Sequence, residues 1–158
     1  MKNVKKQLSI FFVIFTIFIT NSTAHEYKIG NLKILHPYII ETPSGAMTAG
    51  GYMKIVNTGN QSYNLTAIVV GFAKAAETHE IIMENDVIKM REVKGGLEIP
   101  AHSSVELKLG EYHIMFMNLL KPIIKGEIYE GILYFEKAGN IKVVFTVEKM
   151  GFKLEDNN

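Results

Sequence analysis

Two clusters of histidine and methionine are the residues of this chain best suited to chemistry. The first is Tyr112-His113-Ile114-Met115-Phe116-Met117. In an extended strand successive side chains alternate faces, so His113, Met115 and Met117 point one way. Ile114 and Phe116 point the other way and fill a core. The second cluster is His79-Glu80-Ile81-Ile82-Met83, followed by Val87-Ile88-Lys89-Met90. Asn85-Asp86 is a favourable turn pair, and a hairpin there brings His79 and Met90 together. His113 and Met115 can close the group from a neighbouring strand. Two imidazoles and two thioethers make a soft, uncharged donor set. It favours copper(I) over calcium, magnesium or zinc. Met83, four residues after His79, and Met117, on the face of Met115, are further sulfurs for which packing is the competing role. Methionine is also a common gap-filler of cores, so spacing alone leaves a buried, metal-free reading open. Glu80 and Glu84 are hard oxygen donors, suited to tuning local charge and poorly suited to copper(I).

The elements that must position these side chains are strands. After the first 24 residues no stretch keeps a helical period for three turns. Short β-type runs separated by Gly, Pro, Asn and Ser predict strands over residues 28–35, 50–57, 64–70, 77–82, 87–93, 103–109, 112–118, 127–135 and 141–148. A brief helical turn is expected at 73–76. Many short strands at this spacing point to a Greek-key sandwich or barrel. His36, before Pro37, reads as structural, and His102, in a turn, as exposed.

Composition narrows the function. The 158 residues contain no Cys and no Trp, with 17 Lys+Arg against 16 Asp+Glu. Lys2, Lys5 and Lys6 precede a 13-residue apolar run, residues 8–20, and then Asn21-Ser22-Thr23-Ala24. The run is short for a bilayer-spanning helix, and the pattern is a secretory signal cut after Ala24. The expected organisation is a signal at 1–24, one domain at 25–150 and a short polar tail at 151–158. The mature part then carries 14 bases against 16 acids, a balance that argues against nucleic-acid binding. The expected location is the periplasm, with no membrane attachment after cleavage. Without Cys there is no disulfide, no zinc–thiolate site, no lipid-anchored N-terminus and no blue-copper centre. No Gly-x-Ser-x-Gly elbow supports a hydrolase.

The arrangement resembles the periplasmic copper chaperone family PCu(A)C. Its hallmark of His, about ten residues, Met, about twenty more and His-x-Met reads here as His79, ten intervening residues, Met90, 22 intervening residues and His113-Ile114-Met115. Leu35-His36-Pro37-Tyr38, Ala49-Gly50-Gly51-Tyr52-Met53, Gly96-Leu97-Glu98-Ile99-Pro100 and Leu107-Lys108-Leu109-Gly110-Glu111-Tyr112 are similar to that family too. The likeness runs from about Gly30 to Val147. It implies an all-β, cupredoxin-like antiparallel Greek-key β-sandwich. It implies one copper(I) per chain held by His79, Met90, His113 and Met115, with copper(II) the less favoured state. It implies a non-enzymatic metallochaperone that transfers copper by ligand exchange toward cytochrome c oxidase. The implied partners are the oxidase copper subunit and a Sco-type thiol assembly protein, with the chain itself a monomer. The chain departs from the family in lacking a His- and Met-rich C-terminal tail.

Two other functions compete. Signal cleavage makes His25 the N-terminus, where amine and imidazole can chelate copper(II). Joined by a second histidine such as His36, it would form the copper brace of an oxidative enzyme. A β-sandwich binding module with its methionines buried and no metal is the other.

Overall fold

Alternation of apolar and polar residues sets the architecture. In the run from Ile128 to Glu136 every second residue is buried, Tyr129, Gly131, Leu133 and Phe135 facing inward. That period of two suits a sheet with one face on a core and one in water. The computed structural model describes residues 26–152. The expected signal at 1–24, His25 and residues 153–158 lie outside the described residues.

The described residues form eleven strands: β1 (Glu26–Ile29), β2 (Leu32–Ile40), β3 (Thr48–Asn57), β4 (Tyr63–Val70), β5 (Ala73–Glu84), β6 (Val87–Glu92), β7 (Leu97–Ile99), β8 (Ser103–Leu107), β9 (His113–Leu119), β10 (Ile128–Glu136) and β11 (Gly139–Glu148). They hydrogen-bond in the order β6-β5-β9-β3-β2-β11-β10-β4-β7, with β1 added to β2 and β8 to β3. The order interleaves strands far apart in sequence, and β9 lies between β5 and β3. The all-β, cupredoxin-like sandwich expected from the sequence is the fold observed. One ladder departs from purely antiparallel pairing: β2 and β11 run parallel, from Thr146 opposite Tyr38 to Glu148 opposite Ile40.

The change of partner along β2 comes at His36-Pro37. Proline has no N–H to give to a ladder, and His36 has a positive φ of 48°. The register of β2 on β3 shifts between Leu35 and Tyr38. Before this bulge β2 pairs with β1, and after it with β11. Two local expectations are corrected. Residues 73–76 open β5 and do not form a helical turn, because Ala75 and Ala76 are held in register with Met117 and Phe116 of β9. The expected strand 28–35 is a hairpin, since Gly30, at φ 55°, turns the chain back between β1 and β2.

The core lies between the folded layers. Ile34, Ile39, Ile55, Ile99, Ile114, Phe116, Leu133, Val143 and Phe145 are fully buried. Phe116 of β9 meets Phe145 of β11 edge-on, with ring centroids 5.7 Å apart. The inward face of β9 is thus clamped, which fixes which way its other face looks. Beyond β11, Phe152 packs edge-on against Tyr38.

Candidate metal centre

The outer face of β9 carries His113, Met115 and Met117, as strand alternation requires. β5 lies beside it in antiparallel register, with His79 directly opposite His113 and Glu77 opposite Met115. The two imidazoles are neighbours, with ring centroids 6.0 Å apart and planes within 23°. β5 and β6 form the hairpin expected from Asn85-Asp86. Both turn residues have positive φ, 52° and 60°, as a two-residue hairpin turn demands. Met90 pairs with Ile81, one step along the same face from His79. A cavity of about 190 Å³ gathers Met90, His113 and Met115 with Gly50, Tyr52 and Leu109. Three of the four expected ligands line this cavity; His79 does not, and lies next to it as the stacked register partner of His113.

The protonation pattern of the imidazoles follows from their neighbours. His113 Nδ1 lies 3.0 Å from the Glu111 carbonyl oxygen. A carbonyl only accepts, so Nδ1 carries the proton and Nε2 keeps its lone pair. That Nε2 is buried with no hydrogen-bond partner. His79 Nε2 lies 3.6 Å from the Glu77 carboxylate, and its Nδ1 is the buried atom without a partner. Buried polar atoms are nearly always satisfied. Here two unsatisfied imidazole nitrogens sit beside two thioethers, a set that a soft cation would complete. Among the described residues, no group of three or more His, Cys, Asp or Glu could hold a metal, so a hard-cation cluster is not formed there.

Exposure differs along the site. His113 is 5% exposed, whereas Met90 is 50% exposed and Met115 intermediate. The reading in which Met90 and Met115 are buried core residues does not describe this protein. Met83 sits near the hairpin tip, 72% exposed, and Met117 is half-buried. The opposite face of the hairpin carries the charges: Lys89 pairs with Glu84 at 2.6 Å and Arg91 with Glu80 at 2.7 Å. Glu80 and Glu84 are thus engaged away from the imidazoles. His36 is exposed at the β2 bulge, and His102 is exposed at φ 53°.

Several contributors escape sequence reasoning. The Glu111 carbonyl orients His113, and Glu77 faces His79. The signal for Glu77 was its spacing of two from His79 on one strand face. Gly50 and Gly51 let β3 pass between two aromatic rings. A Cβ at 50 would meet the Tyr52 hydroxyl at 2.5 Å, and one at 51 would meet the Phe116 ring at 2.5 Å on the core side.

Residues 32–147 match the family described as "Putative lipoprotein LpqE-like". The chain belongs to the LpqE-like family. It is 36% identical over 121 residues to "Putative lipoprotein Lxx21020" of Leifsonia xyli subsp. xyli, covering 74% of this chain and 69% of that protein. The word lipoprotein is those proteins' own. Among solved structures this LpqE-like chain is similar to the copper-bound PCuAC domain from PmoF2, at 26% identity and a TM-score of 0.68, covering 79% of this chain and 98% of that one. The apo PCuAC domain from PmoF1 is similar at 25% identity and a TM-score of 0.68, covering 79% and 99%. The copper(I) form of DR1885 from Deinococcus radiodurans shares the fold, at 21% identity and a TM-score of 0.59, covering 84% and 85%. This LpqE-like protein is a PCuAC-like domain.

Proposed function

We propose that the protein is a periplasmic copper(I) carrier whose ligands are His79, Met90, His113 and Met115. The observation that carries this reading is a pair of stacked imidazoles, each with a buried nitrogen that has no partner, one of them (His113) lining a surface cavity together with the thioethers of Met90 and Met115. The copper-bound state of the similar PmoF2 domain supports it. Copper is cargo here. Uncharged thioethers hold copper(I) without an ionised sulfur and leave without needing a proton. Met90 is the most exposed of the four ligands and departs first. An incoming thiolate or thioether then takes its place, while the less exposed histidines hold the ion until transfer is complete. Tighter ligation in the acceptor drives delivery. The acceptor in this reading is the copper centre of cytochrome c oxidase, reached with a Sco-type thiol protein, and the carrier acts as a monomer released by cleavage after Ala24.

Competition against a chromophoric copper(I) chelator under anaerobic conditions tests the binding step. One equivalent of copper(I) withheld from the chelator, and surrendered on replacing Met90 and Met115 with leucine, is expected. No competition by the unaltered protein would overturn the carrier function. Mixing the loaded protein with a soluble oxidase copper domain tests the direction: copper moves to that domain if the reading is right and stays with the carrier if it is wrong. Replacing His25 leaves copper(I) affinity unchanged in this reading and abolishes activity if the protein is a copper-brace enzyme.

A further inference from the structure

We propose that Glu77 is a positioning residue that holds the proton of His79 on Nε2 and so leaves Nδ1 to bind copper. The inference rests on the carrier reading and deepens it. Glu77 and His79 lie two apart on one face of β5, and the Glu77 Oε2 is 3.6 Å from His79 Nε2. An ionised carboxylate only accepts, so it favours the tautomer with N–H on the facing nitrogen. The remaining nitrogen, Nδ1, is the buried one without a hydrogen-bond partner. His113 shows the tighter case, its Nδ1 within hydrogen-bond distance of the Glu111 carbonyl at 3.0 Å, which leaves Nε2 as the unpartnered atom; the Glu77 carboxylate at 3.6 Å acts on His79 through its charge, without a direct hydrogen bond. The two histidines face each other across one ladder yet offer different nitrogens. Each is fixed by an acceptor on its own strand or the turn before it.

Glu77 has one competing role. Its register partner is Met115, so its carboxylate lies level with a thioether ligand and could itself coordinate the ion. Copper(I) is soft and carboxylate oxygen hard, which favours the outer role. A carboxylate behind a ligating imidazole fixes its ring and raises its basicity, and losing one lowers metal affinity by about 10–100-fold. The Glu77 side chain is 38% exposed, so its replacement does not open the core.

Long-range proton–nitrogen correlation spectra of the metal-free protein at mildly alkaline pH read the tautomer directly. The expected result is His79 protonated on Nε2 in the unaltered protein. That bias weakens in Glu77→Gln, which keeps an acceptor without its charge, and is lost in Glu77→Leu. Glu80→Gln, on the Arg91 ion pair of the other face, leaves it in place. With copper(I) bound, the nitrogen shift change falls on Nδ1 of His79 and Nε2 of His113, and Glu77→Leu weakens affinity about 10-fold or more. A His79 protonated on Nδ1, a tautomer indifferent to Glu77→Leu, or oxygen scattering from copper that disappears in Glu77→Gln would each overturn the proposal. The metal-free spectra decide it even if the unaltered protein binds no copper, a result that would instead defeat the carrier reading.

Discussion

His113 and Met90 mark the two ends of the site's behaviour. His113 is almost fully buried, oriented by the Glu111 carbonyl, and seated on a strand whose other face is core. Met90 is half exposed on an edge strand. His113→Leu is therefore expected to lower copper(I) affinity more than Met90→Leu, by more than about tenfold, or about 1.4 kcal/mol. Met90→Leu is expected to act mainly through faster release, and stopped-flow transfer to a chelator separates the two. The tyrosines give a second handle at this scale. Burial, then the neighbouring Tyr52, Glu106 and Glu148, pushes the Tyr38 phenol from 10.0 to about 12. Burial, then the hydrogen bond to Glu127, does the same to Tyr129, also to about 12. Both phenols are favoured neutral in the folded state. Their contribution to stability is complete below pH 10 and is lost as pH rises through about 12. Chemical denaturation at a series of alkaline pH values is expected to show that decline, and Tyr129→Phe to reduce it.

The β5–β6 hairpin is the element that makes the site. Asn85-Asp86 was legible as its turn because short polar residues tolerate positive φ, and the turn sets the register that puts Met90 on the face of His79, one step along the ladder. Asp86 holds φ 60°, where glycine is freer, so Asp86→Gly is expected to raise the melting temperature slightly and leave copper affinity unchanged. The ion pairs on the hairpin's outer face are exposed and worth no more than about 1 kcal/mol each. β3 is less forgiving. Gly51→Ala drives a methyl into the buried Phe116 ring, an overpacking expected to cost about 1–3 kcal/mol in urea unfolding. Gly50→Ala meets the hydroxyl and ring edge of Tyr52, a buried ring packed on Tyr38, so it too is expected to destabilise, while disturbing the cavity wall. Alternation correctly sent Ile114 and Phe116 inward. It did not show β1 and β2 as a hairpin, because the apolar residues on both sides of Gly30-Asn31 read as one run.

At the scale of the molecule, one sandwich holds two half-sites apart in sequence and together in space. The pairing of His79 with His113 depends on β9 lying between β5 and β3, a neighbour relation that no local pattern encodes. The gathering of His and Met on one face was legible from residue types and spacing, and a β-sandwich or barrel from the density of short strands; the cupredoxin-like form came from the family resemblance. The atoms that orient the donors were not legible. A backbone carbonyl, that of Glu111, has no residue-specific signature, and Glu77 becomes meaningful only once the face it shares with His79 is known. The parallel β2–β11 ladder was likewise hidden, because it joins β2 beyond the His36-Pro37 bulge to a strand more than a hundred residues later.

The most direct test of the proposed copper site is the X-ray absorption spectrum of the protein loaded anaerobically with copper(I). Mixed nitrogen and sulfur scattering from one ion per chain is predicted. The sulfur component should shrink in Met90→Leu and Met115→Leu, and the nitrogen component in His113→Leu. A spectrum without sulfur, or one unchanged by all three substitutions, would place the copper elsewhere and contradict the account.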